Sequence, residues 1–355
     1  MKLTGIEISA RGPDQSAGTA ARERQDNLTK PPGSLGRLEE MSVRLCEITG
    51  RCPPRLGDKV IVVCAADHGV TEEGVSPYPS DVTAQMLLNF AGGGAAINVL
   101  AGEAGARVVV LNAGTASAVD HPSILDKRVR AGTANMARGP AMTEKEAEAC
   151  VLAGFETARV EISNGASLLA AGDMGIGNTT SASAIVAALT GQPVEQLVGR
   201  GTGLDDDGLA RKVSVVREAL ETNRPDPGDP MDVLAKVGGL EIGAMAGVML
   251  ACAHESVPVI VDGFISTAAA LIAERACPGV RGAMFASHLS VEPGHRPALA
   301  ELGLEPFLDL GMRLGEGTGA ALAMTVLECS ARLLAEMATF EEAGVSREKD
   351  ESRET

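Results

Sequence analysis

The chain has no tryptophan, one tyrosine and six phenylalanines among 355 residues. So few aromatics leave little for stacking nucleobases, the main contact of single-strand nucleic-acid binders. Positive charge is also short: 31 Lys and Arg stand against 47 Asp and Glu, a formal net charge of −16. That balance opposes a phosphate backbone or an anionic lipid surface as partner. No CxxC pair occurs, and seven cysteines is an odd number. These thiols fit a reduced chain with small buried core residues better than a disulfide framework or a zinc knuckle. The start, MKLTGIEISARGPDQ, lacks a basic region followed by an apolar run. The longest apolar stretch, GAMAGVMLACA at 243–253, falls short of the roughly 18 residues of a membrane span. The expectation is a cytoplasmic protein with neither nucleic-acid nor membrane partners. Walker A and dinucleotide-binding fingerprints are missing as well.

What is abundant is glycine, 42 residues, within a chain that is 45% hydrophobic. Six short apolar runs read as buried strands: 59–67, 106–114, 166–173, 257–264, 280–288 and 307–311. Helical patterns fall between them, at 82–102, 143–162 with a Thr143–Glu146 capping box, 178–190, 208–221, 231–254, 265–276 and 317–339. Alternation of this kind predicts an α/β fold, an open parallel sheet with helices on both faces, whose ligands bind beyond the carboxyl ends of the strands. Residues 56–330 form the expected large domain. Helical segments at 1–55 and 331–345 form a smaller lobe from the chain ends, and 346–355 is a charged, disordered tail.

Three glycine-rich stretches carry candidate chemistry. In AGDMGIGNTT, 171–180, a strand runs into Gly175 and Gly177, after which Asn178, Thr179, Thr180 and Ser181 open a helix. Close backbone approach, free N–H groups and hydroxyls suit a phosphate, and the same spacing equally fits an ordinary capped turn. GRGTGLDDDGLARK, 199–212, adds Arg200, Thr202 and Lys212, so that a phosphate would find both amides and a cation. Its aspartates 205–207 suit a helix N-terminus better than a metal. In LDLGMRLGEGTGAALAM, 308–324, Glu316 stands between Gly315 and Gly317 before a helix. Partial burial would make it a general base, while the commoner use of such an acid is to meet the helix dipole. Arg313 is placed to pair with Glu316 or with an anionic substrate. Asp67 with His68 reads as a metal or acid–base pair, or equally as a structural one. His288, Glu292 and His295 make a weak zinc site, interrupted by Pro293 and Gly294.

Together LTKPPGSLGRLE (28–39), DHGVTEEGVSPYPSDVTAQM, GDMGIGNTTSASA, GRGTGLDDDGLARK, VDGFISTAAAL and LGEGTGAALAM resemble the nicotinate-nucleotide:dimethylbenzimidazole phosphoribosyltransferases, from about residue 15 to about residue 340. The resemblance implies transfer of the 5-phosphoribosyl group of nicotinate mononucleotide to 5,6-dimethylbenzimidazole, with no cofactor and no metal. It also implies a homodimer. Glu316 matches the family's catalytic glutamate, while Gly175, Gly177, Gly201 and Lys212 match its phosphate-contacting stretches. Asp173, Asn178, Thr179, Thr202, Arg313 and Gly315 complete the expected substrate site. Ser80 and Gln85, with Tyr78, Met86 and Leu87 nearby, form the expected pocket for the flat base. Many members of the family have Glu where this chain has Asp173, one methylene shorter, and different members accept benzimidazoles, purines or phenols, so the resemblance leaves the acceptor open. Two other functions fit the glycine loops alone: a small-molecule kinase, and a nucleotide-binding protein without catalysis.

Overall fold

Parallel strands buried on both faces read as continuous apolar runs rather than alternating ones, and KVIVVCAA behaves this way: every residue from Lys59 to Ala66 is buried. The structure, a computed structural model, describes residues 1–3 and 5–346, so the expected tail beyond residue 346 lies outside the described residues. Its main sheet has six parallel strands: β1 (Asp58–Ala66), β2 (Ala106–Gly114), β3 (Ile124–Asp126), β4 (Ala166–Met174), β5 (Val259–Val261) and β6 (Met284–Ala286). Their order is β3-β2-β1-β4-β5-β6. This is the doubly wound arrangement, and its direction reverses between β1 and β4, where such sheets open a crevice for ligand. Asp67, Asp173, Asp262 and His288 stand at or just beyond the carboxyl ends of β1, β4, β5 and β6.

Three readings of secondary structure need correction. FLDLG at 307–311 is not a strand: Leu308 makes one isolated bridge to His288, between Pro306 and a left-handed Gly311. Ile124–Asp126, three residues at the sheet edge with Leu125 exposed, is a strand absent from the six expected runs. Two expected helices are each divided in two. Asp81–Ala91 and Ala96–Glu103 part at Gly92–Gly94, and Pro230–Val237 and Leu240–Glu255 part at Gly238 and Gly239. The Thr143–Glu146 capping box is present, with Thr143 N–H donating to Glu146 Oε2 at 2.8 Å. By length and composition, Asp81–Glu103 and Thr318–Glu336 would be long and apolar enough to cross a bilayer. The first is broken at its glycines, and Ala320, Ala323, Met324, Leu327 and Leu334 of the second are buried.

The described chain divides into two compact units: Met1–Arg11 with Gly57–Met324, and Gly12–Leu56 with the chain from Thr325 on. Residues 1–11 thus go with the sheet and not with the helical lobe. Arg11 N–H donates to Ala253 O and the His254 ring meets Ser9 O. In the second unit, Gln15–Asn27 and Arg37–Thr49 share a core of Ala17, Ala21, Leu28, Val43, Cys46 and Leu334. There Arg24 caps a helix C-terminus by donating to Leu334 O, Ala335 O and Met337 O.

Beneath the sheet, Leu240–Glu255 is buried from Leu240 to Ala253 and crosses Glu144–Ser163 at glycine contacts. A Cβ on Gly154 would lie 1.8 Å from Ala244 O, and one on Gly247 would lie 1.9 Å from Val151 O. Gly154→Ala is therefore expected to destabilise the protein by about 1–3 kcal/mol or more, the cost of overpacking. Denaturant unfolding measures it, and an unchanged midpoint would contradict this close crossing.

Candidate active site

Gly315, Glu316 and Gly317 are consecutive residues in left-handed conformation, at φ +82°, +62° and +89°. A glutamate carries steric strain there, of order 1–3 kcal/mol, and keeps the conformation only if its surroundings impose it. Two strand ends do so. Glu316 N–H donates to Asp173 O at 3.1 Å, and Asp262 accepts from Gly317 N–H at 3.2 Å and Ala320 N–H at 2.7 Å. Gly172 of β4 lets this turn approach, since a Cβ there would sit 2.4 Å from Glu316 O. The Glu316 side chain is buried, 5% exposed, and accepts from Ile97 N–H at 3.3 Å through Oε2. Burial raises its carboxyl above the ordinary value. The Ile97 bond opposes that rise and the Asp262 charge adds to it. Asp173 is raised well above the usual carboxylate range, by burial first and then by Asp262, against a 2.8 Å bond from the Asn178 amide.

Glu316 and Asp173 wall a cavity of about 630 Å³ beyond the carboxyl ends of β4, β5 and β6. Gly175, Asn178, Thr179, Gly201, Thr202, Arg313 and Gly315, all expected in the site, line it. Leu87, expected near the base, is fully buried and does not, and four residues of the expected substrate site do not either. Gly177 is the left-handed N-cap of Asn178–Thr190 and packs toward Thr71. Lys212 is fully buried and bridges the two glycine loops, its Nζ donating to Thr179 Oγ1 at 2.7 Å and Gly199 O at 3.2 Å. Burial lowers it to about 8 against the opposing pull of Glu292. Ser80 pairs with Thr71 at 3.0 Å and Gln85 points to solvent, whereas Val82 and Met86 of the same helix, with Tyr78 before it, line the wall. Arg313 does not pair with Glu316; it donates to Gly201 O at 3.1 Å.

The lining also includes Gly263, Phe264 and Ile265 after β5, and His288, Ser290 and Glu292 after β6. The strand-end rule could have found these. No zinc constellation forms from the last group: His295 turns away, with Nε2 2.9 Å from Thr267 Oγ1 and Nδ1 accepting from Ser290 N–H, and burial holds it down at about 3. Glu292 accepts from Gly201 N–H at 3.1 Å. Asp205 caps a helix through Gly208 N–H, as the dipole reading expects. Among the described residues no cluster of three or more His, Cys, Asp and Glu is placed to hold a metal ion.

The chain is similar to known proteins over almost its whole length. A phosphoribosyltransferase family profile matches residues 10–345. The nicotinate-nucleotide–dimethylbenzimidazole phosphoribosyltransferase of Desulforudis audaxviator is 58% identical over 97% of this chain and 98% of its own. The protein of that name from Geobacter metallireducens is 52% identical over 98% and 99%. The crystal structure of nicotinate-nucleotide-dimethylbenzimidazole phosphoribosyltransferase from Thermus thermophilus is similar with a TM-score of 0.90 and 54% identity, over 94% of this chain and 100% of that one.

Proposed function

The chain belongs to the nicotinate-nucleotide:dimethylbenzimidazole phosphoribosyltransferases, and from that premise we propose how its cavity carries the reaction. The enzyme transfers the 5-phosphoribosyl group of nicotinate mononucleotide to 5,6-dimethylbenzimidazole. The products are nicotinate and α-ribazole 5′-phosphate, the nucleotide of the cobalamin lower ligand. The observation that carries the assignment of roles is the Glu316 carboxylate, buried at the cavity wall on a left-handed turn.

Glu316 accepts the N–H proton of the benzimidazole while the other ring nitrogen attacks C1′ from the face opposite nicotinate. The C1′–N bond breaks and its electron pair passes to the pyridinium nitrogen. Because that nitrogen departs as a neutral pyridine, the leaving group needs no proton. One displacement inverts β to α. What the protein supplies is a base and alignment of the two substrates. Burial, by raising Glu316, makes it a stronger base than an exposed glutamate.

The phosphate sits on the Gly175–Thr179 turn with Gly201, Thr202 and Arg313 around it, a site of amides, hydroxyls and one cation. Val82, Met86, Phe264 and Ile265 offer the flat base an apolar wall, and Met sulfur suits an aromatic face. The dephosphorylated substrate, nicotinate riboside, is therefore expected to show a KM higher by about 10- to 100-fold, the worth of one charge-assisted hydrogen bond. Equal KM values for nucleotide and riboside would remove the phosphate assignment. The reading extends to a homodimer acting in the cytoplasm; sedimentation of the purified protein measures the first.

A further inference from the structure

The mechanism above makes no use of His68, a fully buried histidine that follows β1. Its Nε2 lies 2.7 Å from Glu241 Oε1 and its Nδ1 lies 3.1 Å from Ser181 Oγ. The Ser181 hydroxyl has one hydrogen, and within its reach are Gly238 O at 3.2 Å and Met136 Sδ at 3.7 Å, both acceptors only. The ring tautomer decides whether Nδ1 donates to the Ser181 oxygen or accepts its hydrogen. The Glu241 carboxylate accepts from Nε2–H, which makes that nitrogen a donor in either case. Burial alone would lower the ring, but Glu241, with a smaller contribution from Asp67, carries it above its ordinary value. The second Glu241 oxygen is buried without a hydrogen-bond partner among the described residues.

This ion pair lies directly under the first glycine turn. A Cβ on Gly175 would stand 3.4 Å from His68 Cδ2 and 3.4 Å from Glu241 Oε1; one on Gly177 would stand 3.5 Å from His68 Cβ. Ser181 belongs to the helix Asn178–Thr190, whose Asn178 and Thr179 face the cavity. Glu241 is in the first turn of Leu240–Glu255. One imidazole ring thus joins the end of β1, the helix after the turn and a core helix, segments 113 and 173 residues away in sequence. Buried ion pairs are costly to desolvate and add little stability over apolar packing. What this one supplies is direction: each ring nitrogen meets a single partner, and together they fix the helix start against the strand end.

We propose that His68, held by Glu241 and Ser181, is a positioning residue that sets the Gly175–Thr179 turn for the phosphate of the mononucleotide. The inference rests on the assignment of phosphate to that turn. Its test is steady-state kinetics of full-length Glu241→Gln and Ser181→Ala with two donors, nicotinate mononucleotide and nicotinate riboside. Supporting residues of this kind are worth about 10- to 100-fold in a site they orient. Glu241→Gln is expected to raise KM for the nucleotide by about that much, leaving kcat within about threefold and the values for riboside and benzimidazole unchanged. Ser181→Ala follows in the same direction with a smaller change, and decides the matter if Glu241→Gln yields no folded protein. Loss of the nucleotide-over-riboside preference supports the proposal. Nucleotide KM values equal to wild type, or kcat and all KM values worsening together, overturn it. An inactive wild type would instead overturn the reading of the reaction on which the proposal rests.

Discussion

Glu316→Gln is expected to lower kcat by about 10²-fold or more, the usual size of a general-base contribution, with KM for nicotinate mononucleotide little changed. The substitution isolates proton acceptance from everything else the residue does. Glutamine keeps the volume, can still accept from Ile97 N–H, and leaves the backbone bonds of the left-handed turn to Asp173 and Asp262 in place. What it cannot do is take the benzimidazole proton. The pH dependence follows the same logic. Glu316 is raised from the ordinary value of 4.5, by burial before any other cause. A base works only when deprotonated, so activity climbs as pH rises through this raised value, and the acid limb of kcat has its midpoint above 4.5. In Glu316→Gln that limb disappears along with the rate. A variant that turns over like wild type would dismiss Glu316 as the base.

Gly172→Ala is expected to cost about as much, roughly 10²-fold in kcat/KM, though residue 172 touches no substrate. The added methyl would lie 2.4 Å from Glu316 O, 2.5 Å from Glu316 C and 2.7 Å from Gly317 N. These are backbone atoms, so no side chain can rotate out of the way. Either β4 or the catalytic turn must shift by most of an ångström, and displacement of a catalytic group by about 1 Å is enough for a loss of that order. Melting of the variant separates the two consequences: a cooperative transition with the activity gone locates the damage in the turn. Activity within about threefold of wild type would mean that the turn has slack that this packing does not show.

How far these features can be read without coordinates depends on their range along the chain. The central strands are legible because each is a continuous apolar run bounded by polar residues, and Glu316 is legible because GEG removes bulk on both sides of one carboxylate. The edge strand Ile124–Asp126 is not, since three residues, one buried and two exposed, are too few to carry a periodicity. Ser80 and Gln85 show a different limit. Residue type points to the correct helix, but on Asp81–Ala91 it is Val82 and Met86, four residues apart, that share the cavity face, while Gln85 lies on the solvent side. Lys212 reads as a phosphate cation from its charge and its glycine-rich neighbours. The fold buries it behind Thr179, where it ties one glycine loop to the other. The His68–Glu241–Ser181 constellation spans strand, turn and two helices, and nothing local in the sequence joins them.

The most direct measurement is incubation of the purified protein with nicotinate mononucleotide and 5,6-dimethylbenzimidazole, following nicotinate by chromatography and the sugar anomer by proton NMR. Single displacement at C1′ requires nicotinate and an α-linked ribazole phosphate in equal amounts. Absence of nicotinate, or a β-linked product, would contradict it.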